Sequence, residues 1–159
     1  MGYYQFSGGH QKVQIYESII FWRDGIQLAG GSSLLEDITA SLQETISRAS
    51  SKEKDPSQYA EIQIPRGDYY VQLLTIPKNH RVLIYSKDRV RLLYAGKRNR
   101  PMFVLEDNSV LVLREKLELY YNTNNMQEVT KLMIRCPKSS SAEISKQIKV
   151  SFFSMKQQD

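Results

Sequence analysis

Apolar and polar residues alternate over much of this chain, and changes in the period divide it. Near the start, Val13, Ile15, Ile19 and Phe21 fall at odd positions, the pattern of a half-buried strand. Asp24-Gly25 then separates Phe21-Trp22 from Ile26-Gln27-Leu28. Asp-Gly between apolar segments is the signal for a two-residue hairpin turn. Gly30-Gly31 closes this arm, residues 1–31. The period then lengthens: Leu34, Leu35, Ile38, Leu42, Ile46 and Ala49 recur at steps of three and four, one apolar stripe of an amphipathic helix. Ser33-x-x-Glu36 has the form of a capping box, which predicts a helix start at Ser33. Asp37, Gln43, Glu44, Ser47 and Arg48 take the other face, and the polar, proline-containing residues 50–57 end the helix.

From Glu61 the period returns to two. Short runs follow one another: Ile62/Ile64, Val71/Leu73, Val82/Ile84, Val90/Leu92, Phe103/Leu105 and Val110/Val112. Taken alternately they form two interleaved ladders. Ile62 to Val82 is 20 residues and Val82 to Phe103 is 21, while Val71 to Val90 is 19 and Val90 to Val110 is 20. A repeat of this length with strands in each copy is the mark of a solenoid, each strand stacking in parallel on its counterpart. Leu117/Leu119, Leu132/Ile134 and Ile148/Val150/Phe152 continue as strands, with residues 121–126 as an inserted loop. An antiparallel barrel or sandwich also gives short strands at such spacing. It calls for hairpin signals, and residues 62–119 hold no Asn-Gly or Asp-Gly pair. Pro65-Arg66-Gly67-Asp68, Pro77-Lys78-Asn79 and Glu106-Asp107-Asn108 read instead as bends.

The ordered set of motifs over residues 33–123 resembles the opening section of the pectin-lyase-like right-handed β-helix superfamily, including its pectin-methylesterase-like members. Leu42-Gln43-Glu44-Thr45-Ile46-Ser47-Arg48-Ala49 matches that family's opening helix. Ile62-Gln63-Ile64-Pro65-Arg66-Gly67-Asp68-Tyr69 matches the strand that ends in Pro-x-Gly-x-Tyr, and Leu74 to Tyr85 the strand pair that follows. Where the family has Gly after the second of these, this chain has Ser86. The resemblance implies a mainly β fold: a short right-handed parallel β-helix of about four coils in residues 32–159, capped by one amphipathic helix and preceded by a hairpin arm. The family's catalytic carboxylates and basic residues lie on later coils, so the resemblance transfers a fold and no catalytic residue.

Composition fits one packed domain of 159 residues, 41% apolar and 25% charged. The net charge of +5 favours acidic partners. The single cysteine, Cys136, excludes an internal disulfide, points to a reducing compartment and reads as a small buried residue on a strand. No apolar run is long enough for a membrane-spanning helix, and no secretory signal is expected. Together with the acid-free first 16 residues, these traits favour the mitochondrion over a cilium or the cytosol.

Candidate chemistry is sparse. His10 and His80 belong to no carboxylate or cysteine cluster, and His80 reads as an exposed turn residue. No metal or other cofactor is expected. Glu106/Asp107 and Glu115/Glu118 read as solvated charges. One charge cluster stands out: Arg81, Lys87, Arg89, Arg91, Lys97, Arg98 and Arg100, against the single acid Asp88. Arg89 and Arg91 alternate with Val90 and Leu92, which places them on a strand's outer face, with Tyr85 and Tyr94 nearby. Such a face suits an acidic protein surface, or nucleic acid through phosphate contact and base stacking. The expectation is a non-catalytic structural or accessory subunit of a larger protein assembly. It would dock through this basic face, through Tyr3, Tyr4, Phe6, Tyr16 and Trp22 of the arm, and through an open last coil around residues 148–153. The alternative is a glycan- or nucleic-acid-binding β-helix module, and an enzyme comes third.

Overall fold

The computed structural model describes residues 3–5, 11–14, 18–22, 25–29, 34–52 and 59–153. Phe6, Tyr16, Ser33 and Asp24 lie outside them. The chain is mainly β, and most of its strands belong to three parallel sheets. In the first sheet, β6 (Ala60–Gln63), β9 (Arg81–Tyr85), β12 (Val110–Leu113) and β15 (Ser141–Ile144) pair in that order, with β1 (Tyr3–Gln5) parallel to β6. In the second, β5 (Leu34–Asp37), β7 (Gly67–Val71), β10 (Val90–Tyr94), β13 (Leu117–Asn122) and β16 (Lys149–Phe153) are parallel. There β2 (Gln11–Gln14) adds antiparallel to β5. The third holds β8 (Leu74–Ile76), β11 (Phe103–Leu105) and β14 (Ile134–Arg135). From β6 to β13 each strand pairs with the strand three places further along the chain. This arrangement is compatible with a β-helix-like solenoid.

Parallel stacking holds, but the period differs from the expected one. Three strands, not two, make up each repeat, and register partners lie 22 residues apart at Ile62 and Ile84 and 31 apart at Leu113 and Ile144. The Phe103 strand therefore stacks on Leu74 rather than on Val82. The Val110 strand stacks on Arg81–Tyr85 rather than on Val90. The strands of the third sheet have two or three residues each, so their runs are too short to set the period. One phase also shifts: Leu111 and Leu113 are the β12 residues of the main core cluster, whereas Val110 is half-buried and Val112, though buried, lies outside that cluster. Leu73 is 49% exposed in the bend before β8, and its neighbour Leu74 enters the core.

The helix α1 runs from Thr39 to Lys52, later than the capping box implied. Residues 34–37 are strand β5 instead. The entry is held by Asp37, whose Oδ1 accepts the N–H (2.9 Å) and the hydroxyl (2.6 Å) of Thr39. That hydroxyl in turn accepts the N–H of Gln72 at 2.6 Å. The predicted stripe is real from Ile38 onward: Ile38, Leu42, Ile46 and Ala49 are fully buried in one cluster with Ile62, Ile64, Leu74 and Ile76. α1 packs on β6, β8 and β9, so it covers the start of the first and third sheets.

Corners stack as well as strands. Asn79 and Asn108 adopt left-handed backbone, φ 64° and 59°, which Asn tolerates better than most residues. The Asn79 N–H donates to Asp107 O at 3.0 Å, joining one bend to the next. Ser86 is buried, and its hydroxyl donates to Ile64 O at 2.7 Å. A side-chain bond thus occupies the place where the resembling family has Gly. Gly67 is required by close approach: a Cβ there would lie 2.7 Å from the ring of Tyr69, whose hydroxyl bonds Pro65 O and Arg66 O.

Other expectations change. Tyr121 and Asn122 end strand β13 rather than opening a loop, with Tyr121 fully buried. Leu132 belongs to a short helix, α2 (Val129–Met133). Cys136 is exposed just after β14, so it is not a core residue. His80 is half-buried rather than exposed, with its Nδ1 buried and without a partner among the described residues. The arm does contain the hairpin: β3 (Ser18–Trp22) pairs antiparallel with β4 (Gly25–Ala29). Gly25 is opposite Trp22, so it opens β4 rather than forming the turn.

Candidate docking surface

The parallel register distributes the seven basic residues over three environments. Arg91 lies between Asp68 on β7 and Glu118 on β13, and Glu118 is opposite Lys149. Charges of opposite sign thus alternate across the outer face of the second sheet, the favourable cross-strand arrangement. Arg91 makes two hydrogen bonds to Asp68, at 2.7 and 3.0 Å, and Arg89 pairs with Glu118 at 3.0 Å. Val90 and Leu92 are buried beneath them, as the alternation predicts. Sequence distance hid these carboxylates, because each sits one repeat away from its arginine.

Arg81 is on the first sheet. Its guanidinium lies 4.8 Å from the ring centroid of Tyr59 and donates to the Tyr59 hydroxyl at 3.2 Å. Lys87 is exposed in the bend after β9.

Lys97, Arg98 and Arg100 belong to the corner between β10 and β11, residues 95–102. This corner is built on Asn99, φ 64°. The Asn99 N–H donates to Asn122 O at 3.0 Å, its Oδ1 accepts the Thr123 hydroxyl at 2.6 Å, and its Nδ2 donates to Asn124 at 2.9 Å. The asparagines of residues 122–124 therefore brace this corner. Below it, the Tyr94 ring stacks on Tyr121, centroids 5.3 Å apart. A Cβ on Gly96 would collide with Tyr94.

This hydrogen-bonded corner walls an open cleft of about 320 Å³ that contains Lys97, Arg100, Arg135, Leu73 and Val104. Arg135 arrives through the third sheet, where it is the register partner of Val104. Sequence reasoning missed it, since only that register joins residues so far apart. Three cations and the apolar side chains of Leu73 and Val104 thus share one concavity, and among the described residues no carboxylate lines it. Leu73 is one of two large apolar side chains exposed among the described residues. Chemically, the cleft fits an anionic group attached to an apolar one.

Of the arm residues, Tyr3 and Tyr4 lie on β1 and Trp22 on β3. Among the described residues no group of three or more His, Cys, Asp and Glu side chains is placed to hold a metal ion. No helix among them is long and apolar enough to cross a membrane. No protein family, curated protein or solved structure matches the chain.

Proposed function

We propose that this chain is a non-catalytic docking module, a structural or accessory subunit of a larger protein assembly. Its scaffold in this reading is a right-handed parallel β-helix of about four coils, related to the opening section of the pectin-lyase-like superfamily and capped by α1. A mitochondrial location is part of the same reading, supported by the positive charge and the single cysteine. The observation that carries the function is the cleft of Lys97, Arg100 and Arg135 beside exposed Leu73. A partner that offers a carboxylate next to an apolar side chain meets both halves of it. An acidic protein surface does so better than nucleic acid. Base stacking needs an exposed aromatic, and Tyr94 is 3% exposed.

The test is a triple variant, Lys97→Glu, Arg100→Glu and Arg135→Glu, followed by native mass spectrometry of the endogenous complex. The expected result is a folded chain that has left its assembly. Retention in the assembly would overturn the reading. A wild-type chain that binds RNA or DNA with a salt slope that flattens in the variant would establish the nucleic-acid alternative.

A further inference from the structure

The three parallel sheets finish, among the described residues, on β14, β15 and β16. On β15, Ser141 N–H donates to Ser109 O at 3.1 Å, and Ser145 N–H donates to Leu113 O at 2.9 Å. Backbone groups alternate sides along a strand, so those of Ala142 and Ile144 point away from β12. No described strand pairs with that edge. Unpaired N–H and C=O groups in a row are a template for another strand.

Beside this edge lies an open cleft of about 570 Å³, with Ile134, Ile144, Ile148 and Val150 in its wall. Phe152 stands in register with fully buried Tyr121, yet it is 42% exposed, although β4 of the arm packs against β16. The inward-facing residues of the last strands thus present an apolar end.

The charge around this end selects the occupant. Residues 129–153 contain Lys131, Arg135, Lys138, Lys146 and Lys149 against the single acid Glu143. Lys131 and Lys146 line the cleft itself, and among the described residues no carboxylate does. A second copy of this chain would bring the same cations to the same place and be repelled.

We infer that the free edge of β15 is a strand-addition site for an extended, acidic segment of a partner protein, with one apolar side chain of that segment seated in the adjoining cleft. Backbone bonds to Ala142 and Ile144 supply the pairing, and Lys131 and Lys146 select for acid. This inference rests on the docking reading above but uses a different surface.

A fluorophore-labelled peptide of alternating glutamate and valine, seven residues long, tests it by anisotropy, with a lysine-valine peptide as control. The acidic peptide is expected to bind and the lysine peptide not to. Ala142→Pro removes a donor that faces the free edge and cuts no bond to β12. It is expected to weaken binding at least tenfold with an unchanged circular dichroism spectrum. Lys131→Glu with Lys146→Glu changes only surface charge and is expected to do the same, which keeps the test decisive if the proline variant does not fold. Lys97→Glu with Arg100→Glu should leave peptide binding intact. Absence of acidic-peptide binding, equal binding of the lysine peptide, or binding untouched by the lysine-to-glutamate pair overturns the inference. So does a wild-type dimer that Ala142→Pro dissociates. If any of these occurs while the cleft variant still leaves its assembly, the strand-addition site alone is wrong. If the cleft variant also stays, the docking reading falls with it.

Discussion

Gln43 completes the edge of a strand from within a helix: its side-chain amide donates to Thr75 O at 2.8 Å and accepts the Thr75 N–H at 2.7 Å. Thr75 is the middle residue of β8, the first strand of the third sheet. A single amide thus offers β8 the donor and acceptor that a neighbouring strand would offer, and closes an edge that is otherwise a site for aggregation. Gln43→Leu leaves both groups of Thr75 half-buried without partners, which costs about 1–3 kcal/mol. The urea midpoint should fall accordingly, and light scattering on prolonged incubation should rise. Gln43→Glu can still accept the N–H but sets an acceptor against the Thr75 carbonyl, so its loss should be intermediate. A Gln43→Leu midpoint equal to wild type would show that the pair contributes nothing.

How much of this was legible in the sequence depends on the range of the interaction. The stripe from Ile38 to Ala49 and the core phase at Val82/Ile84 and Val90/Leu92 are local periodicities, and they appear as read. Gln43 stood within the helix motif that resembled a known family, although its role needed the fold. The third ladder is not separated in the sequence: the Phe103/Leu105 run reads as a continuation of Val82, and β8, β11 and β14 have only two or three residues each. The Ser33-x-x-Glu36 motif predicts the helix start too early, because residues 34–37 form β5 and the entry is held by Asp37 bonding Thr39. The basic cluster was read as unopposed because Asp68 and Glu118 reach it only through parallel register. The same register brings Arg135 into the cleft beside Val104.

That register sets different costs for two adjacent residues on β10. Leu92 is 1% exposed within the core. Leu92→Ala should cost about 2–5 kcal/mol through lost burial and the cavity left behind. Arg91 is not an ordinary surface residue, because its side chain is 15% exposed and its ion pair with Asp68 is two-pronged. Arg91→Ala should cost roughly 1 kcal/mol, at the upper end of the range for partly exposed pairs. Asp68→Asn should cost about the same, and the double variant less than the sum. Urea melts of the four proteins check this, and equal losses at Leu92 and Arg91 would mean the strand face is misassigned.

The buried tyrosines set an upper limit on the pH range of the fold. Burial pushes the phenols of Tyr70, Tyr94 and Tyr120 up from 10.0 to about 12, and that of Tyr121 higher still. A phenol raised in the folded state is neutral in both states below pH 10, so stability is complete there. Between about pH 10 and 12 the unfolded chain releases protons that the folded chain keeps, and stability falls. Each two-unit shift corresponds to roughly 2–3 kcal/mol by the upper end of that window. Three such shifts rival the whole stability of an ordinary domain. The fold should therefore collapse cooperatively within this window, with the phenolate absorbance of these residues appearing together with loss of circular dichroism. Tyr70 offers the sharpest test, because its buried hydroxyl has no hydrogen-bond partner among the described residues. Tyr70→Phe removes an unsatisfied group and an ionisation without cutting a bond. It should be neutral or stabilising at pH 7 and should move the alkaline unfolding midpoint upward. Tyr120→Phe removes an ionisation too, but it loses the hydrogen bond to Glu118 Oε1 at 2.7 Å. It should therefore cost about 1 kcal/mol at pH 7 and recover that loss only as the pH rises. A Tyr70→Phe chain that unfolds at the same alkaline midpoint as wild type would show that this phenol ionises freely in the folded state.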